Sequence, residues 1–161
     1  MLITKIIAKN FKTYRELDLD LTVNEEQPII LIGGENGGGK TTLFQAIYSA
    51  LYGLKVKDEQ HFNKLQNAGE RAKSSGNSNN KIELEIHFTG KVLHNDYKYI
   101  IKRLYTLNAQ NNPVEAVMLN LNGDIFNYGT ATPHAERVKK EAEVNKIIKA
   151  NLPQELSKYF L

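Results

Sequence analysis

The sequence predicts an α/β fold, and two patterns carry this prediction. The apolar run IILI at residues 29–32 has the composition of a strand buried on both faces, and glycine-rich residues 33–39 lead from it into a helical pattern. From residue 82 onward, apolar and polar side chains alternate in several segments, which predicts an antiparallel meander. A chain of 161 residues is long enough for one domain with a hydrophobic core.

Two strands are predicted before the glycines, at residues 2–8 and 16–22, joined through the sequence KNFKTY. In the second, leucines alternate with Glu16, Asp18 and Asp20, which is the period of a strand with one solvated face. We therefore expect Asp18 and Asp20 to lie on the solvent-exposed face of an edge strand. A metal site built on them is the alternative.

The glycine-rich segment carries a motif. Residues 34–41, GENGGGKT, match the Walker A pattern G-x-x-x-x-G-K-[ST]. Apolar residues then recur at helical spacing, and Gly53 stands where a C-cap glycine is expected. A strand, a glycine loop and a helix in this order predict a phosphate-binding loop. The alternative is a flexible loop that only connects the two elements.

The Walker A motif predicts a role for each of its residues. A phosphate chain binds to backbone N–H groups that point toward it, and glycines leave room for this approach because they have no side chain. The N-terminus of the helix adds partial positive charge. Lys40 is expected to reach the β- and γ-phosphates, Thr41 to ligate Mg²⁺, and Thr42 to bond the α-phosphate. The cofactors implied are ATP and Mg²⁺, and the nucleotide-binding residues predicted from the motif are Gly34, Gly37, Gly38, Gly39, Lys40, Thr41 and Thr42.

Periodicity is lost at residues 55–81, which we predict to form a mobile basic loop. Arg71, Lys73 and Lys81 make this segment basic and are candidates for contact with DNA phosphates. The alternative is a solvated linker. Beyond it, Asn122 and Gly123 predict a tight hairpin within the meander, and Thr132-Pro133 opens a helix that runs to about residue 150.

Composition bounds the function. The net charge of +3 permits an anionic partner without requiring one. The absence of cysteine excludes disulfides and thiolate metal sites and favours a cytoplasmic location. The sequence holds no apolar run of transmembrane length, so no membrane partner is predicted.

A working ATPase of this type also needs a Walker B carboxylate after a second buried strand, and the sequence offers none. An LSGGQ-like signature motif is also missing from it. The last residues, ELSKYFL, form an aromatic and aliphatic run rather than a polar tail. We therefore expect the chain to be part of a larger polypeptide and, on its own, nearly inactive in hydrolysis.

NFKTY and the run PIILIGGENGGGKTTLFQAIYSALYG resemble the start of the SMC, RecF and SbcC group of ABC-type ATPases. Within that group, the strings LIGGENGGGKTT, ALYG and LPQELSKYFL most resemble the DndD proteins of DNA sulfur modification and their relatives in phage defence. The resemblance implies a P-loop NTPase fold, with residues 1–161 as an ABC-type N-terminal lobe that carries an antiparallel β-subdomain. A coiled coil would follow, and a C-terminal lobe would supply the signature motif and Walker B.

The same resemblance implies partners and further site residues. ATP would bind between two heads of a homodimer, and hydrolysis would drive remodelling of DNA, with modification or nuclease proteins as further partners. Asn36 matches a P-loop asparagine near the γ-phosphate, and Lys12 and Thr13 match a turn that reaches nucleotide phosphates. An exposed surface lysine without a role in binding is the alternative for Lys12.

Two other functions are the alternatives to a DNA-related ATPase. One is an ATPase subunit of a membrane transporter, and the other is a nucleotide-sensing module without turnover.

Overall fold

The computed structural model describes residues 1–24, 26, 29–73, 80–92, 95–129 and 131–151. Six of its segments form one antiparallel sheet in the order β2-β1-β3-β4-β5-β6. The strands are β1 (Leu2–Phe11), β2 (Tyr14–Asp20), β3 (Ile82–Val92), β4 (Asn95–Leu107), β5 (Pro113–Leu121) and β6 (Asp124–Tyr128). The predicted meander and the predicted N-terminal strand pair are confirmed, and they belong to the same sheet.

In the part of the chain that the structure describes, four helices accompany the sheet. They are α1 (Lys40–Tyr52), α2 (Glu59–Leu65), α3 (Ala68–Lys73) and α4 (His134–Asn151). Helix α1 packs against β1, β3 and β4, whereas α4 packs against β6 and α1. The predicted helices after the glycine loop and after Thr132-Pro133 are thereby confirmed. Among the described helices, none is long and apolar enough to cross a membrane.

The core lies between α1 and one face of the sheet, because the strands alternate apolar and polar residues as predicted. Cross-strand neighbours such as Ile86 on β3 and Ile101 on β4 are fully buried. Helix α1 covers them with small and aliphatic side chains, including Ala46, Ala50 and Leu51, which are also fully buried. The close approach of α1 to the sheet fixes where the glycine loop before it can lie.

The edge strand β2 has the solvated face that its alternation predicts. Asp18 forms an ion pair with Lys5 at 2.9 Å, and the Asp20 carboxylate accepts a hydrogen bond of 2.8 Å from the Thr22 amide. The hydrogen bonds from Thr22 lower the pKa of Asp20. Within the described ranges, no three histidine, aspartate or glutamate side chains gather as a metal site would need. The aspartates are surface residues of an edge strand.

The prediction of a buried strand at residues 29–32 is wrong for this structure. These residues are not in a strand, and Ile29 and Leu31 are 83% and 93% exposed. A buried strand needs neighbours for its backbone groups and cover for both faces. The six described strands pair with one another in the antiparallel sheet, so residues 29–32 have neither a neighbouring strand among them nor cover for both faces. Pro28, predicted to precede the strand, lies outside the described residues.

The prediction of a loop through residues 55–81 is also wrong in part, because α2 and α3 lie within it. The side chain of Asp58 caps α2 by accepting from the His61 amide at 2.7 Å. Phe62 and Leu65 on α2 are buried. Two helices of seven and six residues are too short for a clear amphipathic pattern. Residues 74–79 of the predicted loop and residues 152–161 lie outside the described ranges.

Candidate nucleotide-binding site

The glycine loop ends directly at the first residue of α1, as the Walker A motif predicts. Gly39 is the N-cap of α1, with φ of 97°, a left-handed conformation that favours glycine. A Cβ on Gly39 would lie 2.8 Å from the Tyr14 hydroxyl and 3.1 Å from Thr13 Oγ1. Gly38 donates to the Glu35 carbonyl at 3.1 Å and closes a tight turn. Both the bend of this loop and its close packing therefore require glycine at position 39.

The N-terminus of α1 suits an anionic ligand. Among the described residues, no side chain caps it and no acidic residue lies in its first turn. The unpaired N–H groups and the helix dipole at such an end attract phosphate oxygens. Thr41 is exposed at this end, whereas Thr42 is buried beneath it.

Lys40 is placed to reach into the loop. Its ammonium donates to the carbonyls of Gly34 and Glu35 at 2.5 and 2.8 Å, so the side chain folds back over the loop. A phosphate chain entering the loop would offer this ammonium a charged partner in place of two neutral carbonyls, and charge-assisted hydrogen bonds are stronger. Asn36 lies on the exposed side of the same loop. The structure thus brings together the residues that the motif singles out.

The turn between β1 and β2 lies beside this loop, although 25 residues separate Tyr14 from Gly39 in the chain. The Tyr14 hydroxyl donates to the Gly39 carbonyl at 3.0 Å, and Thr13 lies against the same glycine. Lys12 reaches across to Gln45 on α1, with 2.5 Å between Nζ and Oε1. Lys12 and Thr13, identified from a family resemblance, therefore lie next to the glycine loop.

Tyr14 is a site residue that the sequence did not reveal. It lies one residue beyond the predicted pair, and an aromatic residue in a turn carries no signal of a bond to a distant carbonyl. Burial raises the pKa of its hydroxyl, so the group stays protonated and remains a donor near neutral pH. Tyr14 thus fixes the backbone of the loop at the residue before Lys40.

The opposite end of α1 is held by Arg103, a buried residue of β4. Its guanidinium donates to the carbonyls of Ala50 and Leu51, each at 2.8 Å, and to the Glu115 carboxylate at 2.8 Å. A cation at a helix C-terminus satisfies free carbonyls and complements the dipole. Sequence reasoning missed this contact, because arginine in an alternating strand is usually taken as solvated.

Tyr105 completes this buried cluster. Its hydroxyl donates to Glu115 at 2.7 Å and accepts from the Leu54 amide at 2.9 Å. Burial, and then the nearby Glu115 carboxylate, raise the pKa of the Tyr105 hydroxyl far above its usual range. Burial alone would lower the pKa of Arg103, but the Glu115 carboxylate, together with Tyr105 and Tyr128, leaves that pKa raised. Helix α1 is therefore anchored at both ends by contacts from the sheet.

The candidate DNA-contact residues are less clearly grouped. Arg71 is exposed on α3, and its guanidinium donates to the Asn63 carbonyl at 2.7 Å. Lys81 lines an open cleft that also contains acidic residues such as Glu70 and Glu83. The side chain of Lys73 lies outside the described part of the chain. A cleft of mixed charge attracts a polyanion less than a uniformly basic patch does.

Comparison with known proteins agrees with this geometry. A family model described as an AAA domain matches residues 5–160. The DNA double-strand break repair Rad50 ATPase of Nanoarchaeum equitans (strain Kin4-M) is 42% identical over 53 residues, which are 33% of this chain and 6% of that protein. The chain thus spans a small fraction of the length of this curated relative.

A solved structure shares the fold. It was determined in work on the structural biochemistry of ATP-driven dimerization and DNA-stimulated activation of SMC ATPases. It matches with a TM-score of 0.53 at 21% identity, and the match covers 93% of this chain and 79% of that chain. The chain therefore has an α/β P-loop ATPase fold with an antiparallel sheet, as predicted.

Proposed function

Because this chain belongs to the AAA domain family, we propose that it binds ATP with Mg²⁺ at residues 34–42. One observation carries the proposal. The Walker A loop opens directly into α1, and the β1–β2 turn packs on the same loop at Gly39. The motif, the helix N-terminus and the adjacent basic turn converge on one place, as phosphate binding requires.

Each residue then has a chemical role. The backbone of Gly37, Gly38 and Gly39 surrounds the phosphates, and Lys40 offers its ammonium to the β- and γ-phosphates. The Thr41 hydroxyl would hold Mg²⁺, and this ion would neutralise part of the phosphate charge.

The residues around the motif extend these roles. Thr42 bonds the α-phosphate, and Asn36 lies near the γ-phosphate. Lys12 and Thr13 contact the phosphate chain from the β1–β2 turn, whose place beside Gly39 supports this assignment.

The described residues of the site offer groups that bind phosphate, but no Walker B carboxylate that would orient water. In the described ranges, no carboxylate stands at the end of a strand beside the loop. We therefore propose that hydrolysis needs the C-terminal lobe of the same protein and a head-to-head homodimer. The exposed run at residues 29–32 supports this, because it is apolar, precedes the loop and is available for pairing with a strand of that lobe.

In this proposal the intact protein couples ATP hydrolysis to remodelling of DNA. The Rad50 ATPase is a DNA repair protein, and the SMC structure concerns dimerization driven by ATP and activation by DNA. Arg71, Lys73 and Lys81 remain candidates for DNA contact, and modification or nuclease proteins remain candidate partners. The narrower likeness to DndD proteins rests on short sequence strings, so a role in DNA sulfur modification stays a prediction, as does the cytoplasmic location.

Calorimetric titration of the full chain with ATP, with and without Mg²⁺, tests the proposal. We expect saturable one-to-one binding that is strengthened by Mg²⁺ and abolished in Lys40→Ala. Lys57→Ala, which removes a lysine outside the loop, is the matched control and should bind as the unmodified chain does. Equal binding by the Lys40→Ala variant would show that the Walker A loop is not the site.

A further inference from the structure

The β1–β2 turn that lies on the glycine loop has an unfavourable backbone. Asn10 and Lys12 have φ values of 54° and 50°, a left-handed conformation that residues with a side chain seldom adopt. Such a conformation persists only where surrounding contacts impose it. The contacts that impose it therefore decide where Lys12 and Thr13 lie relative to the bound phosphates.

These contacts come from the connection between α2 and α3. The Lys12 amide donates to the Leu65 carbonyl at 2.7 Å, and the Lys12 carbonyl accepts from Asn67 Nδ2 at 3.0 Å. The Asn67 amide also donates to Asn10 Oδ1 at 3.1 Å. Both backbone polar groups of Lys12 are thus bonded to this one connection.

The side-chain oxygen of Asn67 bonds to α3. Asn67 Oδ1 accepts from the amides of Gly69 and Glu70 at 3.1 and 3.3 Å and so caps that helix. One amide side chain therefore joins the start of α3 to the turn, with its donor on Lys12 and its acceptor on α3. Of these two functions, capping needs only an acceptor, whereas holding the turn needs the N–H₂ group.

We propose that Asn67 is a positioning residue for the triphosphate: it holds the Lys12–Thr13 turn on the glycine loop and thereby sets the affinity for ATP. The inference rests on the proposed function, since the turn matters to a ligand only if phosphates bind at the loop. Asn67 lies 55 residues from Lys12 in the chain and does not belong to the Walker A motif. It acts through Lys12 and Thr13 and not by touching the nucleotide.

The test separates the two functions of Asn67. Asn67→Ser keeps a capping acceptor for α3 and the neutral charge, but it removes the N–H₂ group that donates to the Lys12 carbonyl and leaves only a shorter hydroxyl. Asn108→Ser is the matched control, because Asn108 Oδ1 also accepts from two backbone amides, those of Gln110 and Asn112, but these belong to the β4–β5 loop and not to the β1–β2 turn. Loss of the bond to Lys12 should weaken ATP binding by roughly five-fold. The unfolding midpoint should match that of Asn108→Ser.

A double-mutant cycle with Lys12→Ala measures whether the effects of Asn67 and Lys12 on ATP affinity are coupled. A role of Asn67 in stability alone would not produce this coupling. If Asn67 acts through the turn, Lys12→Ala weakens ATP binding less in the Asn67→Ser background than in the unmodified chain. Additive effects, or ATP affinity in Asn67→Ser equal to that of Asn108→Ser, would overturn the inference. The proposed function would survive that result if Lys40→Ala still abolished binding. Failure of the unmodified chain to bind ATP would overturn both.

Discussion

The hydroxyl of Tyr14 donates a 3.0 Å hydrogen bond to the carbonyl of Gly39, the residue immediately before the Walker A lysine. This bond joins the β1–β2 turn to the N-terminus of α1 at the point where phosphates would enter. A loop held in its binding conformation before the ligand arrives loses less conformational entropy on binding. The glycine loop thus depends on a residue that lies well outside the motif.

Tyr14→Phe should therefore weaken ATP binding while leaving most of the fold intact. Loss of one partly buried hydrogen bond costs about 1 kcal/mol, or roughly five-fold in affinity if the bond acts mainly on the loop. Titration calorimetry measures the affinity. Tyr97→Phe removes a hydroxyl from another partly buried tyrosine, which lies on β4 at the opposite end of the sheet from Tyr14, and this variant should bind ATP normally. Equal affinities for the two variants would disprove a role of Tyr14 in the loop.

Arg103→Met should destabilise the whole domain. The variant removes the cation that bonds the Ala50 and Leu51 carbonyls and leaves the Glu115 carboxylate without its cationic partner, with only the Tyr105 hydroxyl still donating to it. Breaking a buried charge pair in this way costs about 3 kcal/mol. Urea unfolding followed by circular dichroism measures the free energy of unfolding.

The adjacent residue provides the control for Arg103. Lys102 points to the other face of the sheet, where it pairs with Glu83 at 2.8 Å and is one-third exposed. Lys102→Met should lower the free energy of unfolding by less than about 1 kcal/mol, as expected for a partly exposed pair. Similar losses in the two variants would mean that Arg103 contributes little through α1.

Stability should decline at alkaline pH because of Tyr105. Burial and the Glu115 carboxylate raise its pKa in the folded state, while in the unfolded chain the value is about 10. A raised pKa favours the protonated form, so this stabilisation is complete below pH 10 and is lost as the pH rises above it. Tyr105→Phe should make the decline shallower between about pH 10 and 12. An unchanged slope in urea unfolding across that range would contradict this assignment.

The exposed run at residues 29–32 should contribute little to the stability of this chain. Leu31 is 93% exposed, so Leu31→Asn should change the free energy of unfolding by less than about 0.5 kcal/mol. Leu51, which is fully buried on α1, provides the comparison, and Leu51→Ala should cost about 3 kcal/mol. A large loss in Leu31→Asn would show that the run packs against the domain in solution.

Local sequence patterns predicted most elements of this fold. Alternation along β3 and β4 and the Asn122-Gly123 turn are signals within a few residues, and they were confirmed. The prediction of a buried strand at residues 29–32 was wrong because hydrophobicity shows only that a segment tends to be buried. A buried strand also needs a neighbouring strand to pair with. Helices α2 and α3 were missed because they are short and depend on caps and on contacts with distant residues, such as that of Asn67 with Lys12.

The residues of the candidate site also fall into two groups, those that a local pattern predicts and those that it does not. Lys40 and Thr41 were predicted because the Walker A motif is local and its spacing follows from phosphate chemistry. Tyr14, Asn67 and Arg103 act through contacts across 25, 55 and 53 residues of the chain. Such partners are set by how the sheet folds and leave no local pattern.

The most direct test of the account is to measure ATP binding and phosphate release on the same sample of the chain, with Lys40→Ala beside it. The account predicts Mg²⁺-dependent binding that the variant lacks, together with little or no phosphate release, because the sequence offers no Walker B carboxylate to orient the attacking water. Rapid phosphate release that depends on Lys40 would contradict the claim that this chain holds only half of a composite site. Absence of binding would contradict the assignment of the site itself.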